Sequence, residues 1–173
     1  MLNSFSLWAM PDKASSNLLQ KIIDDNVKKY GGFSFKPHMS LYGGFETEDN
    51  SITKKIEQLS LQLNPFTAIT TEVAMSTTFY QCVFVRIKTI PQVMNAHLKA
   101  KKTLGISDHH VYMPHISLVY GDLNLETKQK IIDEIKLSQV DLVFESIKLV
   151  GISKIKEDPS YSETLAEFGL KKI

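Results

Sequence analysis

A short motif centred on a histidine and a serine occurs twice in this chain. Segment 37–43 reads Pro-His-Met-Ser-Leu-Tyr-Gly, and segment 114–121 reads Pro-His-Ile-Ser-Leu-Val-Tyr-Gly. A single His-x-Ser carries no information, but Pro fills only about 5% of positions in proteins, so chance recurrence of the whole pattern is rare. We therefore interpret the repeat as a duplicated functional element.

Both copies have the composition of a β-strand, in which residues i and i+2 point to the same face. His38 and Ser40 are then expected to project together, while Met39 and Leu41 point to the opposite side. The same spacing applies in the second copy, to His115 and Ser117. Two such pairs that face each other can hold a phosphate group from both sides.

The composition is that of an ordinary soluble domain, with 43% apolar and 23% charged residues among 173. A net charge of +1 gives no overall attraction to nucleic acid or to a membrane surface. The single cysteine, Cys82, excludes an internal disulfide and is predicted to be a buried thiol. No apolar run approaches the ~20 residues of a membrane span, and the N-terminus lacks a leader pattern. We expect a cytoplasmic protein without membrane contact.

Hydrophobic periodicity predicts the element order β-α-β-α-β-β-α-β-α-β-β. Predicted strands cover 4–10, 35–42, 67–75, 79–87, 111–120, 139–154 and 161–170, with Gly43 and Gly44 opening a polar loop. Predicted helices are one capped by Ser15 or Ser16, one over 51–63, one from Pro91 to Gly105 and one capped by Asn124. This order predicts an α+β fold of two lobes, with the two His-x-Ser strands lining a cleft between them. Residues 1–173 are expected to form one domain.

Other chemistries fit the sequence less well. Zinc requires three or four ligands in fixed geometry, and His109, His110 and His115 alternate between faces without a supporting Cys pair or His-Glu-x-x-His. A serine nucleophile would be expected in a Gly-x-Ser-x-Gly elbow, which is absent, as are the glycine-rich nucleotide loops. The remaining interpretation is acid–base chemistry at phosphorus, without a metal or other cofactor.

Two imidazoles suit this chemistry because they titrate near neutral pH. Hydrolysis of a cyclic phosphodiester needs a base that activates water and an acid that protonates the leaving oxygen. Ser40 and Ser117 are predicted to bind the non-bridging oxygens and to stabilise the developing negative charge.

The chain resembles a known family at this point. Paired His-x-Ser/Thr motifs on duplicated strands are typical of the two-histidine phosphoesterase superfamily, and this chain looks most like the cyclic phosphodiesterases of plants and yeast. The similar segments are Ser-Leu-Trp-Ala-Met-Pro at 6–11, Phe-Lys-Pro-His-Met-Ser-Leu at 35–41, Phe-Tyr-Gln-Cys-Val at 79–83, His-Ile-Ser-Leu-Val-Tyr-Gly at 115–121 and Leu-Ala-Glu-Phe at 165–168. The resemblance implies a bilobal fold with an antiparallel sheet and helices in each lobe.

The resemblance also implies roles for individual residues. His38 and His115 would be the catalytic pair, and Ser40 and Ser117 would hold the phosphate, with Ser40 standing where many relatives have Thr. The sequence leaves the assignment of base and acid open; our working hypothesis makes His115 the base and His38 the acid.

Two aromatic residues complete the predicted site. By the same resemblance, Tyr120 would position the phosphate or the water. Trp8 is predicted either to pack in the core or to contact the base and shape the cleft. Specificity is expected to lie in the loops near 44–50 and 105–111.

The sequence therefore predicts a monomeric, metal-independent hydrolase of small cyclic phosphates. The resemblance to the plant and yeast cyclic phosphodiesterases implies nucleoside 2′,3′-cyclic phosphate and ADP-ribose 1″,2″-cyclic phosphate as substrates. Two alternatives stay open: a phosphodiesterase acting on RNA ends or on 2′,5′-oligoadenylate, and a nucleotide- or RNA-binding module without catalysis. Extended RNA contact is disfavoured by the near-zero net charge.

Overall fold

The fold is known from a computed structural model that describes residues 4–152 and 162–171. The strands are β1 (Ser4–Pro11), β2 (Met39–Phe45), β3 (Phe66–Met75), β4 (Val83–Ile87), β5 (His115–Val119), β6 (Asp141–Ile152) and β7 (Ser162–Gly169). The helices are α1 (Lys13–Tyr30), α2 (Ile52–Ser60), α3 (Pro91–Thr103) and α4 (Leu125–Glu134), and a 3-10 turn covers Phe79–Gln81. The predicted order of strands and helices is confirmed. The predicted ends of the last two strands at 153–154 and 161 lie outside the described residues.

All strands pair antiparallel in one sheet with the order β1-β2-β5-β4-β3-β6-β7 and a further pairing between β1 and β6. The long strand β6 belongs to both halves: residues 141–144 pair with β3, and residues 146–152 lie between β1 and β7. One half is therefore β2-β1-β6-β7 and the other is β5-β4-β3-β6. The halves meet again where Met39 of β2 pairs with Ile116 of β5. This confirms the predicted α+β fold of two antiparallel lobes.

The hydrophobic core separates the helices from the cleft. The side chains of Met39, Leu41, Ile116 and Leu118 are fully buried behind the two motifs, as the two-residue period predicts. They pack in one cluster with Leu19 of α1 and with apolar residues of α2 and α3. The intervening residues of β2 and β5 therefore point away from the helices, towards the opposite face.

Several predicted boundaries are wrong for local reasons. The first histidine strand begins at Met39, so His38 immediately precedes it, and it continues through Gly43 and Gly44 to Phe45 because β1 pairs along it. The second histidine strand is shorter than predicted and starts at His115 itself. The predicted strand 79–87 is divided by the 3-10 turn, and only Val83–Ile87 is β-structure.

Helix boundaries differ in the same way. Asp12, not Ser15 or Ser16, caps α1, because its carboxylate accepts a hydrogen bond from the Ser15 amide at 2.8 Å. The Ser15 hydroxyl instead accepts from the Val143 amide and joins the helix to β6. Helix α2 ends at Ser60, three residues earlier than predicted. The predicted cap of α4 is confirmed, since Asn124 accepts from the Thr127 amide.

Two further expectations concern single side chains and the membrane. Cys82 is fully buried, as predicted, and burial raises the pKa of its thiol. Among the helices of the described residues, none is both long and apolar enough to cross a bilayer.

Candidate active site

The two histidines and two serines predicted from the motif line one cleft with a volume of about 690 Å³. The pairing of Met39 with Ile116 explains why they meet. Because β2 and β5 run antiparallel, the residues on either side of this pair meet in reverse order. His38 therefore lies across from Ser117, and Ser40 across from His115. The strand register thus gives the cleft two equivalent half-sites.

Each imidazole is oriented by the same backbone contact. His38 Nδ1 lies 2.8 Å from the carbonyl oxygen of Lys36, and His115 Nδ1 lies 2.9 Å from that of Met113. A carbonyl has no hydrogen to donate, so Nδ1 carries the proton in both rings. In the neutral form of each ring, Nε2 is then a proton acceptor. Both histidines are set up for proton transfer through the same atom.

The surroundings of both rings disfavour the protonated form. Burial lowers the pKa of His38 from its ordinary 6.5 to about 4, and the positive charges of His115 and Lys148 act in the same direction. Burial also lowers the pKa of His115, helped by the charge of Arg86. The hydrogen bond of each ring to its carbonyl opposes the shift. Without an anion in the cleft, both rings are neutral at pH 7.

The two half-sites differ in what touches the rings. The indole of Trp8 stacks on His38, with ring centroids 3.6 Å apart and planes 13° from parallel. This contact follows from the register, since Trp8 pairs with Ser40, and His38 is its diagonal neighbour. On the other side, Phe84 meets His115 edge to face at 5.3 Å, and the side-chain amide nitrogen of Gln81 lies 2.9 Å from His115 Nε2.

The two serines also differ. The Ser117 hydroxyl is buried and donates to the carbonyl of Tyr80 at 2.6 Å. Ser40 is partly exposed in the cleft, and its own carbonyl accepts from the Tyr112 hydroxyl at 3.0 Å. Ser117 can therefore donate to a phosphate only by giving up its hydrogen bond to the Tyr80 carbonyl.

The predicted aromatic residues both line the cleft. Tyr120 is buried and stacks on Phe35 at 3.7 Å, while Tyr80 meets it edge to face at 5.3 Å. Trp8, which is 7% exposed, lies on the face opposite Leu7. It packs against Met10 and Val150 and also lines the cleft.

The loop between α3 and β5 contributes residues that the motif does not reveal. Asp108, His110, Val111 and Tyr112 line the cleft. The Asp108 carboxylate lies 2.7 Å from the Lys101 ammonium and accepts a hydrogen bond from Tyr42. These contacts hold the loop to α3 and β2 at the rim of the cleft.

Sequence reasoning missed Gln81, His97 and Tyr112 as cleft residues. The imidazole of His97 is buried, and its Nδ1 lies 2.7 Å from the carbonyl oxygen of Leu41. Its ring stacks on Tyr112 at 3.9 Å. The sequence predicts that Gln81 lies in a strand over 79–87. In the structure it belongs to the 3-10 turn, and its side chain lines the cleft. Within the part of the chain that the structure describes, no three His, Cys, Asp or Glu side chains are grouped as metal ligands.

Comparison with known proteins identifies the family. No protein-family model matches the chain. Over 125 residues it is 32% identical to the cyclic phosphodiesterase of Arabidopsis thaliana, and the match covers 72% of this chain and 69% of that protein.

Solved structures agree in fold. Escherichia coli LigT complexed with 3′-AMP has a TM-score of 0.64 at 10% identity, covering 98% of this chain and 99% of that chain. TT0787 of Thermus thermophilus has a TM-score of 0.62 at 14% identity, covering 96% and 97%. Fold and paired His-x-Ser strands together define a two-histidine phosphoesterase. The chain belongs to the cyclic phosphodiesterase family within that superfamily, and it is an enzyme that hydrolyses phosphodiesters.

Proposed function

We propose that this enzyme opens nucleoside 2′,3′-cyclic phosphate or ADP-ribose 1″,2″-cyclic phosphate to the phosphomonoester by metal-independent catalysis with His38 and His115. One observation carries the proposal: the two rings have the same fixed tautomer and bring two Nε2 atoms to one cleft. An in-line displacement needs a base and an acid on opposite sides of phosphorus, and one histidine from each half-site supplies them.

In the proposed reaction, His115 Nε2 takes a proton from water while the water oxygen bonds to phosphorus. The phosphorus–oxygen bond of the cyclic ester breaks, and the leaving ribose oxygen takes the proton from Nε2 of protonated His38. Hydroxyls of Ser40 and Ser117 donate to the non-bridging oxygens, and Tyr120 positions the phosphate. His115 ends protonated and His38 neutral, so water restores the starting states.

Protonation of His38 depends on the substrate itself. The free enzyme holds this ring neutral, with a pKa of about 4. A phosphodiester anion between the rings favours the charged form and raises that pKa. The substrate thus creates the acid that its own hydrolysis needs, and we expect a bell-shaped pH–rate profile.

The size of the cleft supports a small nucleotide as the substrate. A volume of about 690 Å³ is in the range of pockets that enclose a molecule of this class. Solved structures of LigT carry 3′-AMP, ATP and NADP+, which are ligands of that protein and consistent with a nucleotide here. Trp8 is proposed to contact the base or to shape the cleft around it. RNA ends and 2′,5′-oligoadenylate are the competing substrates.

We further propose that residues 1–173 act as one catalytic domain, as a monomer in the cytoplasm. A fully buried reduced cysteine fits a reducing compartment. Sedimentation of the purified enzyme across a concentration series tests the monomer.

The test is incubation with adenosine 2′,3′-cyclic phosphate in excess EDTA, followed by phosphorus NMR of the product. We expect turnover that persists in EDTA and is lost in His38→Ala and in His115→Ala. His109→Ala is the matched control, because this exposed histidine does not line the cleft. Full activity of either cleft variant, or loss of activity in EDTA, would contradict the mechanism. Turnover only on RNA ends would favour the competing substrates.

A further inference from the structure

The side-chain amide of Gln81 is in direct contact with the proposed base. Its nitrogen lies 2.9 Å from His115 Nε2, while His115 Nδ1 donates to the Met113 carbonyl. An amide nitrogen offers only hydrogens, so Nε2 must accept, and the ring in this contact is neutral. Gln81 therefore binds the form of His115 that can take up a proton.

The turn that carries Gln81 is fastened to the strand that carries His115. The Ser117 hydroxyl donates to the Tyr80 carbonyl at 2.6 Å, and the Gly121 amide donates to the Phe79 carbonyl at 3.0 Å. The Gln81 carbonyl accepts from the Ser76 hydroxyl at 2.8 Å. With its backbone bonded on three sides, the 3-10 turn holds Gln81 at a fixed position relative to the ring.

Among the described residues, the first half-site has no equivalent of this contact. His38 is stacked on Trp8, and within residues 4–152 and 162–171 its Nε2 makes no hydrogen bond. The otherwise duplicated site is therefore asymmetric at the atom that transfers the proton. In the part of the chain that the structure describes, His115 alone of the two rings has a donor that selects its neutral state.

The charged groups around His115 do not hold its ring in the protonated form, so the amide of Gln81 can select the neutral ring. Arg86 on β4 pairs with His115 across the sheet, and its positive charge disfavours protonation of the His115 ring. His38 faces His115 across the cleft. Glu72 forms an ion pair with Arg86 at 2.9 Å, and the phenols of Tyr80 and Tyr120 also line the cleft. Among the described residues, no carboxylate contacts the His115 ring to hold it protonated.

We propose that Gln81 is a positioning residue that keeps His115 in its neutral, proton-accepting form until substrate binds. The inference deepens the proposed function and depends on it. When the phosphodiester enters, its anionic non-bridging oxygens accept the amide hydrogens more strongly than the ring does. The amide then leaves Nε2, which takes the proton from the attacking water as the new oxygen–phosphorus bond forms.

In wild type, the amide of Gln81 favours the neutral His115 ring. The substitution Gln81→Glu should favour the protonated ring instead, because a carboxylate at this distance attracts the imidazolium. We expect the pKa of His115, measured by NMR titration of the imidazole in the free protein, to rise by about one unit or more, which is a tenfold change in proton affinity. The acid limb of the kcat/KM profile should move to higher pH by the same amount. Gln81→Ala removes the donor and admits water. It should therefore raise the pKa of His115 and move the acid limb of the kcat/KM profile to higher pH, but by less than Gln81→Glu does.

Gln92→Glu is the matched control, since it adds the same charge at an exposed position on α3 and should shift neither quantity. Both Gln81 variants leaving the His115 titration within about 0.3 unit of wild type would overturn the proposal, whatever their activity. The NMR titration needs no turnover, so it is informative even if the cyclic nucleotide is not a substrate. If the wild-type enzyme hydrolyses the cyclic nucleotide but the Gln81 variants leave the His115 titration unchanged, the proposed function stands and the role of Gln81 is rejected.

Discussion

At the scale of single residues, the proline of each motif explains how the histidine is held. A residue that precedes proline is restricted to extended backbone. Lys36 precedes Pro37, and Met113 precedes Pro114, and the carbonyls of these two residues accept the Nδ1–H of the following histidine. The proline therefore helps to fix the tautomer, and the repeat of the whole Pro-His-x-Ser pattern is a repeat of one side-chain geometry.

The low pKa of His38 predicts a stability change with pH. Unfolded His38 takes up a proton near pH 6.5, whereas the folded ring stays neutral down to about pH 4. The unfolded state binds more protons in this range, so the stability of the fold falls as pH falls from 6.5 to 4. One pKa unit corresponds to about 1.36 kcal/mol, so the lowered pKa of His38 corresponds to a loss of about 3 kcal/mol in the free energy of unfolding.

The measurement is urea denaturation of wild type and His38→Gln at several pH values between 4 and 7.5. Because the variant retains His115, the difference between the two proteins isolates His38. We expect the variant to gain stability relative to wild type as the pH falls. Parallel pH curves for the two proteins would show that His38 titrates normally in the fold.

At the scale of elements, sequence periodicity predicts every helix and strand, but it does not predict their boundaries or the turns that connect them. Met39 and Leu41 are fully buried, as their two-residue spacing predicts, and that spacing is a property of the local chain. The turn at Phe79–Gln81 depends instead on bonds from Ser117 and Gly121, which are distant in sequence. The same distinction separates His38 and His115, which a motif reveals, from Gln81, whose role depends on where the turn is held.

The cap of α1 is a prediction at this scale. The Asp12 carboxylate accepts from the Ser15 amide, and the Asp12 amide donates to Val143 on β6 at 2.7 Å. Asp12→Ala keeps the backbone contact and loses the cap, so it should reduce the free energy of unfolding by about 1 kcal/mol. Ser16→Ala should change it by less than about 0.5 kcal/mol. Thermal or urea denaturation of both variants distinguishes the observed cap from the one predicted by sequence, and a larger loss in Ser16→Ala would contradict the structure.

At the scale of the whole molecule, β6 belongs to both halves of the sheet, and each half contributes one histidine to the cleft. Strand β6 pairs with β3 at one end and with β1 and β7 at the other, so one continuous strand connects the two halves. The second connection, Met39 with Ile116, lies directly behind the histidines. The distance between the two Nε2 atoms is therefore set by the sheet as a unit, and a tetrahedral anion that binds both rings should stabilise the entire fold.

Sulfate tests this coupling because it is a tetrahedral anion that does not titrate between pH 5 and 8. Sulfate between the rings favours their protonated forms, and protonation of rings with lowered pKa values becomes easier as pH falls. Its binding should therefore strengthen on acidification, and ligand that binds only the folded state raises the midpoint of thermal unfolding. We expect the midpoint gain over chloride of equal ionic strength to be larger at pH 5.5 than at pH 7.5. Sulfate also stabilises proteins in general by exclusion from their surface, and the variant His38→Ala/His115→Ala measures that contribution at each pH. An equal gain in the variant and in wild type would mean that the two histidines do not form an anion site.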